Sequence, residues 1–346
     1  MKAAFLTALR RIEVREADEP TLVHDDDVLL GIEAVGVCGS DVHYFSKGRI
    51  GDQLVKYPWI IGHEIGASVL AAGPAVRNVD VGDRVAVDPL ITCGRCDQCR
   101  RGRQYTCRDQ RFLGTPPEIP GALAERLVMP AECCFKVPDS LSFEQAVMVE
   151  PLSIAVWAAH FAGDPAGRSI AILGTGTMGL CTLAALCAAG QPRRLFATDL
   201  LDNRLALATR LGADATANAA RDAVIARGRA VAPEGFDTIF ECAGEQSTLD
   251  QAVELLAPDG KLVIVGIAAT ERISFDLSPL RKKELTIQNV RRQNGTVAAT
   301  IEMMAAGRID VMPLVTHHFP LADIQAALDL AADRRDGVVK AMVKTA

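Results

Sequence analysis

The sequence predicts an α/β chain in two parts: a β-rich, barrel-like domain over residues 1–150, completed by residues 291–346, and a parallel, doubly wound sheet over residues 151–290. Three observations lead there. The first 150 residues break into short strand-like runs separated by turn signals. The middle of the chain alternates apolar strands with helical runs, the βαβ pattern of a parallel sheet. A glycine loop sits where the first of those strands meets its helix. At 346 residues there is ample chain for two cores.

In the first part, strands are expected at Lys2 to Leu6, Val28 to Val37, Ala67 to Ala72, Arg84 to Val87 and Ala124 to Met129. Asp25-Asp26-Asp27, Gly73-Pro74 and Val81-Gly82-Asp83 mark turns between them. Helical periodicity is scarce. Two chemical motifs stand out against this background. Cys38-Gly39-Ser40-Asp41-Val42-His43 follows the strand-like run Ile32 to Val37, and Gly62-His63-Glu64 follows Trp59-Ile60-Ile61. Strand ends separated by a loop can converge, which would bring Cys38, His63 and Glu64 to one metal ion. Zinc suits that mixture of thiolate, imidazole and carboxylate, and three protein ligands leave a fourth position open. Ser40 and His43 stand beside the open position as proton carriers.

The second motif is Cys93-Gly94-Arg95-Cys96-Asp97-Gln98-Cys99, with Cys107 eight residues on. Four thiols so spaced suit a closed tetrahedral zinc site that pins a lobe, residues 93–107, with little core of its own. Cys133-Cys134 has no partner pattern and reads as buried thiols.

The second part opens with a strand at Arg168 to Leu173, then Gly174-Thr175-Gly176-Thr177-Met178-Gly179, then an apolar helix to Gly190. A further strand, Arg194 to Thr198, ends at Asp199; a helix from Leu201 to Leu211 stops at Gly212; strands follow at Phe236 to Phe240 and Lys261 to Gly266. In this setting the glycines form a dinucleotide fingerprint. Gly174 permits the turn, Gly176 lets backbone approach the pyrophosphate, and Gly179 lets helix and strand pack closely. Asp199 would accept from the ribose hydroxyls of NAD and repel a 2′-phosphate, and Leu200 and Leu201 offer no compensating cation. Arg204, one helical turn on, is expected to pack near the adenine. The tail adds helices at Thr296 to Ala306 and Leu321 to Ala332, and a strand, Val338 to Val343, that should return to the first domain.

Composition excludes several classes. Net charge is -6, which argues against a nucleic-acid surface, and the basic runs Arg100-Arg101-Gly102-Arg103 and Arg281-Lys282-Lys283 are short solvated turns. Ala171 to Gly190 is uncharged and long enough to span a bilayer, but lipid would leave the glycine loop's backbone unpaired. Lys2 to Leu9 mimics a signal peptide, but Arg10-Arg11 follows where a small-residue cleavage site should stand. A cytoplasmic protein with no membrane partner is expected, and its ten cysteines then point to metal or burial and not to disulfides.

In this order, the open site, the four-cysteine lobe and the nucleotide loop resemble the zinc-dependent medium-chain alcohol and polyol dehydrogenases, over essentially the whole chain. The sorbitol/xylitol branch is nearest, through Val35 to Tyr44, Gly48-Arg49-Ile50-Gly51, Gly62-His63-Glu64, Phe112 to Pro117 and Glu150-Pro151-Leu152-Ser153. The resemblance implies a GroES-like catalytic domain and a Rossmann coenzyme domain. It implies NAD, one catalytic and one structural Zn²⁺ per chain, and a homotetramer. By the same likeness Cys38, His63 and Glu64 are the catalytic zinc ligands, and Glu150 either ligates the zinc directly or, as favoured here, holds the zinc-bound water. Ser40, Tyr44, Phe112, Thr115, Glu150 and Arg292 would line a pocket for a polyol oxidised at C2. Two departures are visible. Animal members of the branch lack the four-cysteine site present here, and the family's Arg-Tyr pair is Arg292-Gln293 in this chain. Threonine and short secondary alcohols are the rival substrates, and a nucleotide-binding relative without turnover is the non-enzymatic alternative.

Overall fold

The structure, a computed structural model, describes residues 1–268 and 270–345. The chain divides into two compact units: Met1–Glu150 with Val297–Gly307 and Val315–Ala346, and Pro151–Thr296 with Arg308–Leu314. The second unit thus runs past residue 290, where the sequence reading placed its end, and takes back a short segment of the tail.

Among the described residues the main sheet of the first unit has seven strands. Its order is Cys134–Lys136, Arg84–Val87, Glu64–Ala72, Asp27–Gly36, Lys340–Lys344 and Val315–Pro320, with Arg126–Pro130 also paired to Asp27–Gly36. The late strand does return to the start of the chain: Met342 lies opposite Gly36 and Val343 opposite Val35, antiparallel. Val28, Leu30 and Ile32 alternate inward along the central strand, and meet Ile65, Ala67, Val69, Val85 and Val87 from its neighbours in one core.

Two local expectations change. Trp59-Ile60-Ile61 is not a strand that delivers His63; Trp59 makes only a single bridge to Leu6. The left-handed turn at Gly62 (φ 97°) ends that run, and the strand begins at Glu64. Helices also frame the site where periodicity suggested few. Gly39–Lys47 was hidden because its Gly-Ser-Asp opening reads as a turn, although those are helix-start residues. Phe143–His160 is apolar on most faces and carries Pro151 internally, so it shows little amphipathic period.

In the second unit, six described strands form a parallel sheet in the order Ala215–Asn218, Arg194–Asp199, Ser169–Leu173, Phe236–Glu241, Leu256–Ile264, Thr286–Asn289. The chain winds outward in one direction from Ser169–Leu173, then crosses to Phe236–Glu241 and winds the other way. That reversal opens a crevice at the carboxyl ends of the two central strands. Every residue of Ser169–Leu173 is buried, as helices on both faces require. Phe196 and Phe236, both fully buried, stack with ring centroids 5.8 Å apart. Phe196→Ala should therefore lower unfolding free energy by about 3–5 kcal/mol. A denaturant titration showing less than about 1 kcal/mol would mean that this stack is not part of a close-packed core.

Candidate metal centre and cofactor cradle

The four cysteines of the lobe converge. Their Sγ atoms are separated by 3.6 Å (Cys96–Cys99), 3.9 Å (Cys96–Cys107) and 3.5 Å (Cys93–Cys107). These spacings are too long for a disulfide at about 2.05 Å. They match the roughly 3.8 Å edge of a tetrahedron whose centre lies about 2.3 Å from each sulfur, the Zn–S distance. Local backbone prepares the thiolates. The amides of Arg108, Cys99 and Gln98 point at Cys96 and bring its pKa down to about 6, and those of Arg95 and Cys96 lower that of Cys93. Burial and the neighbouring sulfurs push Cys99 up to about 12, so only a cation would let all four ionise together. The donor set fits zinc in a closed, structural site.

The open site is assembled around Asp41. Cys38 is the N-cap of the Gly39–Lys47 helix, and its backbone N–H donates to Asp41 Oδ2 at 2.9 Å. The other carboxylate oxygen accepts the Gly62 N–H at 3.0 Å and lies 3.6 Å from His63 Nδ1. One buried carboxylate therefore ties the two motif loops together and orients the imidazole. Cys38, His63 and Glu64 each present a ligand atom within 4.8 Å of the others. Burial opposes a charge on His63, but Asp41 and Cys38 outweigh it and hold the imidazole well above its ordinary pKa. A proton there stands where a divalent cation would sit, so this donor set also fits zinc.

The remaining predicted residues of this unit lie around the cluster. Ser40 Oγ is buried and has no hydrogen-bond partner among the described residues. His43 is half-buried one helical turn further on; burial, then the charges of Lys47 and Arg334, lowers its pKa and leaves it a neutral acceptor. The Tyr44 phenol donates to Gln53 Oε1 at 3.0 Å and pairs with the Thr115 hydroxyl. Phe112 packs on His63 with ring centroids 5.3 Å apart. Glu150 is buried, and burial, reinforced by Glu64 and Asp88, raises its pKa to about 7. Arg292 belongs to the second unit, in a left-handed turn (φ 55°) after the Thr286–Asn289 strand. Sequence reasoning gave no role to Asp41 or Lys340. Asp41 was visible as a capping residue three positions after Cys38. Lys340 was visible only as one charge in the apolar run Val338 to Val343.

In the second unit, Gly174 (φ 95°) is bound to remain glycine, because a Cβ would lie 2.7 Å from Ala243 N. A Cβ at Gly179 would overlap the Gly174 carbonyl. At Gly176 it would meet nothing nearer than Arg204 Nη1 at 3.7 Å, so that backbone face is open to a ligand. Thr177 and Met178 begin the helix Thr177–Ala189, whose first turn carries no acidic side chain to compete for its amides. Asp199 accepts the backbone N–H groups of Thr175, Leu200 and Leu201 at 2.8, 2.8 and 3.0 Å. Arg204 Nη1 is 3.9 Å from Asp199 Oδ2. Its guanidinium thus sits at the glycine loop. The cradle fits a dinucleotide.

A family model described as the alcohol dehydrogenase GroES-like domain matches residues 24–139, and one described as zinc-binding dehydrogenase matches residues 177–306. The chain is 37% identical to a sorbitol dehydrogenase of Bacillus subtilis, over 99% of this chain and 97% of that protein. The chain belongs to the zinc-dependent medium-chain dehydrogenases, in their sorbitol/xylitol branch. This dehydrogenase is also 36% identical to an L-idonate 5-dehydrogenase of Vitis vinifera, over 98% of its own length and 93% of the other. The solved structure of a candidate zinc-binding dehydrogenase from Sinorhizobium meliloti, bound to NADP, matches it with a TM-score of 0.89 at 29% identity over 99% of both chains. No helix among the described residues is long and apolar enough to cross a membrane.

Two separate donor sets make metal content a direct check. Elemental analysis of the purified dehydrogenase should find two zinc ions per chain, one for each cluster. Cys38→Ser should remove one of them and leave the melting temperature near that of the parent. Cys96→Ser should remove the other and destabilise the lobe. A parent that holds no zinc would contradict both assignments.

Proposed function

We propose that this dehydrogenase oxidises the C2 hydroxyl of a linear polyol to a ketose and passes the hydride to NAD. The observation that carries the reading is the polar wall beside the Cys38, His63 and Glu64 cluster. Ser40, Tyr44, Thr115 and Glu150 put hydroxyls and a carboxyl where a site for a short alcohol would be apolar. Both relatives above carry names for oxidation of a polyhydroxylated chain, which supports the same substrate class.

Zinc at the open site would act as a Lewis acid and lower the pKa of a hydroxyl bound to it. The chain's own residues do the rest. Asp41 fixes the His63 ring and the Cys38 backbone, so the donor set is rigid before any ligand arrives. Ser40 Oγ, without another partner among the described residues, accepts the proton of the reacting hydroxyl, and His43, neutral near pH 7, takes it towards solvent. Tyr44 and Thr115 bind hydroxyls further along the substrate. In the second unit, the Gly174–Gly179 loop and the amides of the Thr177–Ala189 helix receive the pyrophosphate, and Asp199 faces the adenosine ribose.

For the cofactor, Asp199 and the uncharged Leu200 support NAD, although the Sinorhizobium meliloti neighbour holds NADP. Catalytic efficiency should favour NAD by at least about tenfold, roughly 1.4 kcal/mol of transition-state stabilisation. Asp199→Ser combined with Leu200→Arg should narrow that margin by giving a 2′-phosphate a partner. Equal use of both cofactors by the parent would refute the assignment.

Substrate class is tested by NADH formation across xylitol, sorbitol, L-idonate, L-threonine and 2-propanol. Because buried polar groups left unpaired are costly, xylitol or sorbitol should exceed 2-propanol by about 10²-fold or more in kcat/KM, and threonine should be inert. If 2-propanol or threonine leads, the polyol reading fails. If L-idonate leads, the substrate is a sugar acid and the polar wall recognises its hydroxyls.

A further inference from the structure

Lys340 is the most deeply buried cation in the first unit among the described residues, with 2% of its surface exposed. It arrives on the last strand of the chain, 276 residues from the group it touches. Its ammonium makes three hydrogen-bond contacts at the open metal site. Two go to the carboxylate of Glu64, at 2.8 Å to Oε1 and 2.6 Å to Oε2. The third goes to the carbonyl oxygen of Val37, the residue before Cys38, at 3.1 Å. One ammonium therefore spans the backbone that presents one candidate ligand and the carboxylate that is another. The Glu64 side chain is itself only 1% exposed, and it is pressed against backbone: a Cβ at Gly36 would overlap Glu64 Oε2.

We propose that Lys340 is a positioning residue that neutralises Glu64, so that the open site meets its metal with one net negative charge instead of two. This rests on the reading that Cys38, His63 and Glu64 hold the metal. The physical reasoning is direct. A carboxylate that already accepts two charge-assisted hydrogen bonds is a poor donor to a second cation, because much of its charge is spent. A buried positive charge beside a divalent ion also repels it, and burial leaves little water to screen the repulsion. Glu64 then acts as a weak ligand, the thiolate of Cys38 and the imidazole of His63 dominate, and the ion keeps more of its charge for an oxygen ligand in the open position. A neutral residue of similar length at 340 would release Glu64 to bind the ion fully.

The test uses cobalt(II) exchanged into the open site of the full-length protein, whose visible spectrum reports coordination number and whose affinity is read by chelator competition. Subtracting the spectrum of Cys38→Ser isolates this site from the four-cysteine lobe. Lys340→Met should bind cobalt about 10- to 100-fold more tightly than the parent, the range by which outer partners shift metal affinity, and its visible bands should weaken as coordination expands. Lys340→Arg, which keeps the charge, should resemble the parent. Lys340→Met with Glu64→Gln, which removes both charges together, should also return to near-parent affinity, and it is the variant to use if the single replacement does not fold. Cobalt affinity and spectrum unchanged in Lys340→Met would overturn the proposal, and so would weaker binding there or more than about tenfold weaker binding in the double variant. A parent with no Cys38-dependent cobalt band would remove the metal reading itself, and the role of Lys340 with it.

Discussion

Asp41, His63, Glu64, Glu150 and Lys340 are all buried in the same part of the first unit, and the architecture there is a consequence of keeping those charges compensated. An unpaired buried charge is among the most destabilising features a fold can carry. Here each has a counterpart: Lys340 for Glu64, His63 for Asp41, and backbone amides at Cys38 and Gly62 for the remaining lone pairs of Asp41. At Glu150, burial with Glu64 and Asp88 outweighs the opposing charges of His63 and Lys340 and raises the carboxyl pKa to about 7. The closing strand Lys340–Lys344 lies between Asp27–Gly36 and the edge strand Val315–Pro320, and this placement brings Lys340 to Glu64.

The two cysteine-containing clusters solve different problems. In the lobe, four thiols on a short loop have few apolar neighbours, so their mutual geometry must come from turns, backbone amides and a shared cation. At the open site the ligands come from a helix N-cap, a left-handed turn and a strand end, each fixed by the sheet before any ion arrives. The first arrangement suits a structural ion, whose binding free energy is folding free energy. The second suits an ion with an exchangeable position, because the protein and not the metal sets the geometry.

The nucleotide cradle depends on a backbone constraint of another kind. Gly174 and Gly179 are dictated by close approach, whereas Gly176 keeps a face bare. Asp199 is engaged with three amides of the surrounding loops, so it stiffens the turn. Arg204 lies beside Gly176 and Asp199, with its Nη1 3.9 Å from Asp199 Oδ2.

By itself the sequence determined the two-part plan, the four-thiol lobe, the glycine loop and the membership of Cys38, His63 and Glu64 in one cluster. Those features are local: ligand spacing, turn glycines and alternation are written in consecutive residues, and physical chemistry constrains them at short range. The helix carrying Ser40, His43 and Tyr44 was obscured because a capping sequence and a turn use the same residues, and the burial of Tyr44 and Phe45 in the core supports the helix. The strand expected before His63 failed for a similar reason, since the left-handed Gly62 interrupts it. What tertiary structure alone decided was the pairing of charges. Asp41 reaches Gly62 across 21 residues, and Lys340 reaches Glu64 across 276. No local pattern encodes such partners; burial selects them, because only a fold that brings the opposite charges together can keep them out of water.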